Sequence, residues 1–195
     1  MSRSVLYMSM SLDGFIAGPD DEPGRGLGRG GEVLHAWLGE PVGELPSFQP
    51  PGASGQVFDE LMATRALVVG RRMFDAADQW GGDHHDGVPI FVPTRSEPPA
   101  STWEGVHYVT DGVESAMEQA KRAAGDANVM VHGADLAQSC LRAGVLDELE
   151  IHLIPVLLGA GRLLFGELGQ TIELNGPTRV LEAPGVTHLR FQVNP

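Results

Sequence analysis

Val129–Val131 is an apolar run of strand length, and Gly133 follows it after a single histidine. Ala134, Asp135 and Leu136 come next, and Asp135–Ala143 carries Leu136, Ala137, Cys140 and Leu141 at helical spacing. A strand that feeds a helix through glycine leaves the first helical N–H groups free, and such groups bind anions, usually phosphate. Ala66–Val69 runs into Gly70, Arg71 and Arg72 in the same manner. Two arginines at that opening suit a phosphate, which a guanidinium grips with paired hydrogen bonds. A third run, Val88–Val92, leads to Thr94, Arg95 and Ser96, a set that fits a ribose or a phosphate. An ordinary polar turn accounts for Thr94–Ser96 equally well, and a plain structural strand–turn–helix accounts equally well for Gly133.

Other chemistry-bearing patterns are weaker. Gly26–Gly31 matches GxGxxG, but no strand feeds it and its surroundings are glycine and proline, so the match reads as chance. The loop from Gly81 to Gly87 holds His84, His85 and two aspartates, yet adjacent histidines lack the spacing that converges ligands on a metal. No metal site is expected. Cys140, the only cysteine, falls on the apolar face of its helix and reads as a buried structural thiol. No His, Ser or Lys constellation argues for covalent catalysis.

The elements that must position these residues alternate. Arg3–Leu12 predicts a strand largely buried on both faces, closed by Asp13-Gly14, with the brief apolar segment Phe15–Ala17 after it. Asp20–Pro51 is a long Gly- and Pro-rich stretch in which Glu32–Leu38 could form a short helix carrying His35 and Trp37; His35 reads as a solvated loop residue. Ser54 predicts the N-cap of a helix over Gln56–Arg65. Val106–Val109 is a further strand, and Asp111 with Glu114 resembles a capping box for a helix reaching Ala124. From Asp147 onward the pattern becomes β. Leu149, Ile151 and Leu153 alternate with Glu148, Glu150 and His152, which predicts a half-buried strand with His152 exposed. Pro155–Gly161 is a corner, and Thr171–Leu181 with Val186–Val193 predicts an antiparallel pair. The expected fold is therefore α/β, mostly parallel with antiparallel C-terminal strands. In such sheets ligands bind at the carboxyl ends of the parallel strands, where all three flagged segments fall. Three subsites along one edge suit a long phosphate-bearing ligand such as a dinucleotide.

Composition bounds the rest. The 195 residues suit one domain, 1–195, with 42% hydrophobic and 20% charged residues. A net charge of −13 argues against nucleic acid and anionic membrane as partners. No apolar run is long enough to span a membrane, and the single cysteine agrees with a reducing compartment, so a cytoplasmic location is expected. In so acidic a chain, an anionic ligand must be held by locally placed arginines and backbone N–H groups.

These segments carry a resemblance. MSLDGFIAG, GRRMFD, VPIFVPTR and above all HGADLAQSCLRAGVLDELEIHLIPVLLGAGRLLF resemble the dihydrofolate-reductase-like superfamily. Within it, the chain is similar to the C-terminal reductase domain of the bifunctional riboflavin-biosynthesis deaminase/reductase. LGRGGEVLHAWL resembles a segment of stand-alone members. The resemblance implies a three-layer fold and an NADPH-dependent reductase acting on a small pyrimidine or pterin-like substrate. The activity implied is most like 5-amino-6-(5-phosphoribosylamino)uracil reductase. Dihydrofolate reduction, or a nucleotide-binding module that kept the fold and lost turnover, remains the alternative. By the same resemblance, Ser9, Ile16 and Ala17 line the nicotinamide side, while Gly70, Arg71 and Arg72 hold phosphates. Thr94 and Arg95 meet the adenosine ribose and its 2′-phosphate, and Gly133, Ala134, Asp135 and Leu136 cradle the pyrophosphate. Asp13 is the favoured carboxylate for assisting protonation, ahead of Asp59 and Glu60, although a plain Asp-Gly turn explains it as well. Met73, His132 and Pro93 depart from the family pattern, standing for a Thr, the first Gly of a Gly-Gly pair and a ladder-donating residue. The related reductases pair through the region around Leu157, Leu158, Leu163, Leu164 and Phe165, so a homodimer is expected.

Overall fold

The computed structural model describes residues 2–41, 48–97, 103–166 and 168–194. In chain order its elements are β1 (Ser4–Ser11), β2 (Phe15–Ala17), α1 (Gly52–Met62), β3 (Ala66–Val69), α2 (Arg71–Ala76), β4 (Ile90–Pro93) and β5 (Val106–Val109). There follow α3 (Val113–Ala124), β6 (Val129–His132), α4 (Ala134–Ala143), β7 (Glu148–Ile154), β8 (Arg162–Leu163), β9 (Leu174–Ala183) and β10 (Val186–Val193). Two 3-10 segments, Gly31–Leu38 and Asp78–Gly82, lie between them.

Eight strands form one sheet in the order β5-β4-β3-β6-β1-β7-β10-β9. The six from β5 to β7 run parallel, and β10 and β9 are antiparallel, as the change in sequence texture after Asp147 predicts. A separate pair, β2 with β8, ties the first turn to the Gly-rich corner. Alternation along the central strands sorts the core into two layers. Leu6 and Met8 of β1 join Val68, Phe91 and Val131 on the face covered by α3 and α4. Val5 and Tyr7 join Leu67, Val69, Ile90 and Met130 on the other face, where Phe74 of α2 packs. β3 is buried at all four residues, because a central parallel strand covered on both faces needs apolar side chains throughout.

α4 follows its sequence closely. Leu136, Ala137, Cys140 and Leu141 are buried, and Gly144 ends the helix at φ 67°, a left-handed conformation that glycine adopts without steric cost. Two helix starts differ from expectation. α1 begins at Gly52 with Pro51 as its N-cap, so Ser54 lies inside the first turn and its hydroxyl bonds to His188 instead. α3 begins after Gly112 without a side-chain cap, and Asp111 accepts a hydrogen bond from the Ser115 hydroxyl at 2.8 Å rather than forming a capping box.

β7 is the main correction. Its charged and polar positions are as buried as its apolar ones: Glu148 is 4% exposed, Glu150 0% and His152 2%. β1 and β10 flank the strand, Arg179 of β9 and Arg190 of β10 bond to Glu150, and Trp37 of the Gly31–Leu38 segment packs on His152, so its polar side chains are covered.

Candidate functional site

At the carboxyl edge of the parallel strands lies a cavity of about 70 Å³. Met8, Ile16 and Ala17 form an apolar wall, and Gly70, Arg71, Arg72, Met73, His132, Gly133 and Asp135 face it from the ends of β3 and β6. Asp21, Leu27 and His35 come from the long loop after β2, and Arg162 comes from β8. The loop closes through tight backbone packing: a Cβ on Gly28 would lie 2.3 Å from the Gly18 carbonyl oxygen, which explains the glycines that mimic GxGxxG. Within it Gly31–Leu38 forms the short helix expected, of 3-10 type. Residues 42–47 of that stretch lie outside the described set.

Gly133 introduces α4 at φ 102°, a conformation closed to most side chains, and an added Cβ would meet Met73 Cβ at 3.2 Å. Its carbonyl accepts the Ala137 N–H at 2.9 Å, so α4 begins directly at this turn. Ala134 and Leu136 are buried beneath it, and Leu136 Cβ supports Gly70 at the distance a Cβ there would make contact, 3.4 Å. The structure thus places Ile16, Ala17, Gly70, Arg71, Arg72, Gly133 and Asp135 around one space. Arg71 Nε donates to Asp75 at 2.7 Å, and its guanidinium lies 5.3 Å from the Tyr108 ring centroid. Thr94 and Arg95 sit at the end of β4 outside the cavity wall, with Arg95 exposed and the Thr94 hydroxyl 3.1 Å from that of Ser96. Ser9 is buried and does not line the cavity; its hydroxyl accepts the Trp37 indole N–H at 2.9 Å.

Asp13 is held by three donors. Its Oδ1 accepts from the Ser11 hydroxyl at 2.6 Å and the Leu158 N–H at 3.1 Å, and its Oδ2 accepts from the Gly159 N–H at 2.7 Å. The Ser11 bond, helped by these backbone donors, holds the carboxyl below its ordinary range. An ionised carboxylate saturated with donors clamps the β1–β2 turn to the Gly-rich corner. Asp59 is exposed on α1, and Glu60 is bound by Arg179 and Arg190.

Two groups of residues were not legible as neighbours. The first is Asp21, Arg72 and Arg162, joined at the cavity mouth. The second is a buried polar row on β7 and β10. Glu150 Oε2 accepts from Arg190 Nε at 2.5 Å and Arg179 Nη2 at 3.2 Å, and Glu60 binds both guanidiniums from α1. Next to it, Ser54 Oγ, His188 and His152 form a hydrogen-bonded line, with the Trp37 ring tilted 53° against His152 at 4.7 Å between centroids. Burial keeps these imidazoles neutral, with His188 lowered to about 4 and His152 well below its ordinary value. Glu150, His152 and His188 bring one donor atom each within 4.8 Å of one another, the single such group among the described residues. The two guanidiniums already balance Glu60 and Glu150, so a divalent cation there would add uncompensated buried charge. The row is a hydrogen-bond network, and Ser54, 3% exposed, is too enclosed to act as a nucleophile. Burial likewise pushes the Cys140 thiol up to about 12, as suits a structural residue.

No helix among the described residues is long and apolar enough to cross a membrane. Residues 4–180 match the family model of the RibD C-terminal domain. The chain is 27% identical over 173 residues to the uncharacterised protein YwjB of Bacillus subtilis (strain 168), covering 88% of this chain and 87% of YwjB. Its fold is similar to the crystal structure of a Shewanella sp. PV-4 protein ascribed to riboflavin biosynthesis, with TM-score 0.72, 23% identity and full coverage of both chains. It is also similar to dihydrofolate reductase from Enterococcus faecalis complexed with NADP(H), with TM-score 0.58, 15% identity and coverage of 100% and 97%.

Proposed function

Because the chain belongs to the RibD C-terminal domain family, we propose that it is an NADPH-dependent reductase acting on a pyrimidine or pterin-like substrate, most like 5-amino-6-(5-phosphoribosylamino)uracil reductase. The observation that carries this reading is the single cavity wall shared by Ile16, Ala17, Gly70, Arg71, Arg72 and Gly133. The residues fit a nicotinamide nucleotide on three counts. Met8, Ile16 and Ala17 offer an apolar wall to a ring. Gly133, at φ 102° before α4, lets a pyrophosphate approach backbone N–H groups at a helix start. Arg71 and Arg72 supply local positive charge within a chain of net −13.

When bound, the reduced nicotinamide supplies the hydride. The chain's own work is to bind, orient and exclude water. The apolar wall keeps water from the ring face, and Gly70 and Gly133 bring backbone close to the phosphates. In this reading Thr94 and Arg95 meet the adenosine end, which extends beyond the cavity along the same sheet edge. Asp13 acts as a positioning residue: it fixes the turn that carries Ile16 and Ala17 through Gly159 and Leu158. Exposed Leu157, Leu163 and Val180 support assembly as a homodimer through the β-rich C-terminal part.

Single-turnover oxidation of bound NADPH tests the reading. The phosphoribosylamino-pyrimidine and dihydrofolate serve as substrates, with loss of nicotinamide absorbance as the signal. Oxidation by the pyrimidine faster than by dihydrofolate is the expected result. Oxidation by neither would favour a binding module that kept the fold.

A further inference from the structure

Arg162 carries no signal in the sequence reading, yet β8 delivers it to the cavity mouth opposite Arg72 of α2. Between them stands Asp21. Arg162 Nε donates to Asp21 Oδ2 at 2.5 Å and its Nη2 to Oδ1 at 3.3 Å. Arg72 Nη2 donates to Oδ1 at 2.9 Å and to the Asp21 carbonyl at 2.6 Å. Two guanidiniums, from residues 51 and 141 positions away, therefore converge on one carboxylate, whose side chain is only 16% exposed. Burial works against the charged carboxylate here, but the bonds from Arg162 and Arg72 outweigh it and hold Asp21 below its ordinary range.

The charge balance at the cavity bears on what else could stand there. Its wall carries three guanidiniums, Arg71, Arg72 and Arg162, against two carboxylates, Asp21 and Asp135. One of those carboxylates, Asp21, is the group the guanidiniums hold. A phosphate offers the same charge sign and more acceptor oxygens than a carboxylate, and paired guanidiniums bind it well.

We propose that Arg72 and Arg162 form an anion subsite, filled in this structure by the chain's own Asp21, which a phosphate of the bound nucleotide takes over. This deepens the reading of the cavity as a nucleotide site and rests on it. Asp21 is then an internal competitor: it occupies the subsite, ties the loop to it, and yields both arginines when a phosphate arrives. A purely structural strap makes the opposite prediction, because cutting it would loosen the loop and weaken any ligand.

Calorimetric titration with inorganic pyrophosphate and, separately, with NADP+ tests this on the wild type, Asp21→Asn, Arg162→Gln and the double variant. Thermal melting confirms that each is folded. Asp21→Asn should tighten pyrophosphate binding by about tenfold, and Arg162→Gln should remove that gain in the double variant. Arg162→Gln alone should weaken both ligands, which keeps the proposal testable should Asp21→Asn fail to fold. Unchanged or weaker pyrophosphate binding by folded Asp21→Asn, or no effect of Arg162→Gln, would overturn it. If NADP+ binds but ignores both substitutions, the subsite is wrong and the nucleotide reading stands. If pyrophosphate follows the substitutions while NADP+ fails to bind, the anion subsite stands and the nucleotide reading falls.

Discussion

The Nδ1 atoms of His152 and His188 lie 3.0 Å apart across the β7–β10 pair, so one ring donates a single proton and the other accepts it. Both rings are buried, and each is held neutral by desolvation, with His188 lowered to about 4. The unfolded chain takes up protons at these histidines near pH 6.5, whereas the folded chain resists until near pH 4. Folding stability from this source is therefore fully present above pH 6.5 and is lost as pH falls toward 4. Urea unfolding from pH 7.5 to 4 should show that decline. His188→Gln should make the slope shallower by about one proton, roughly 1.4 kcal/mol per pH unit within the window. An unchanged slope in the variant would contradict the buried neutral pair.

Glu150 is fully buried and is the shared acceptor for Arg179 and Arg190. Glu150→Ala removes the deepest carboxylate of the network, leaving Glu60 to both guanidiniums and Glu148 to Arg190 at 3.8 Å. Breaking a buried pair in this way costs about 3–5 kcal/mol. Equilibrium unfolding of the variant should show that loss, and a change below about 1 kcal/mol would mean that water reaches the network.

The same network explains what the sequence hid. Glu148, Glu150 and His152 alternate with apolar residues as on a solvated strand, and nothing local shows that arginines 29 and 40 residues beyond Glu150 come back to pair with it. Arg162 was silent for a similar reason: its partner lies 141 residues away, and only the β2–β8 pairing brings it to the cavity. Where burial and glycine geometry are local, the sequence was sufficient. β3 is found at its expected bounds, α4 within one residue, and Gly133 at the strand-to-helix turn. Ser54 and Asp111 look like caps by type, but the hydroxyl of the first is drawn to His188, and the second takes up Ser115. Asp13-Gly14 reads as a turn from its residue types alone, while the bonds from Ser11, Leu158 and Gly159 to Asp13 depend on the fold.

Gly133→Val tests the strand-to-helix turn. Valine at φ 102° is strained, and its Cβ would crowd Met73 at 3.2 Å. NADPH affinity should fall at least about tenfold while circular dichroism still reports a folded α/β protein. Wild-type affinity in the folded variant would remove the pyrophosphate from this turn.

Leu157 is 68% exposed, Val180 49% and Leu163 43%, all on or near the C-terminal strands. Exposed apolar side chains are covered most simply by a symmetric copy of the chain. Sedimentation at micromolar concentration should give a dimer, and Leu157→Glu should shift it toward the 20.8 kDa monomer. A wild-type species of 20.8 kDa at all concentrations would contradict the homodimer.

Binding of NADPH against NADH to the wild-type protein tests the central claim most directly. Arg71, Arg72 and Arg95 lie at the ends of β3 and β4 in a chain of net charge −13, so the nucleotide with the extra phosphate is favoured. Calorimetry should give NADPH at least about tenfold tighter than NADH, roughly 1.4 kcal/mol. Equal affinity for the two, or binding of neither, would contradict an NADPH-dependent reductase.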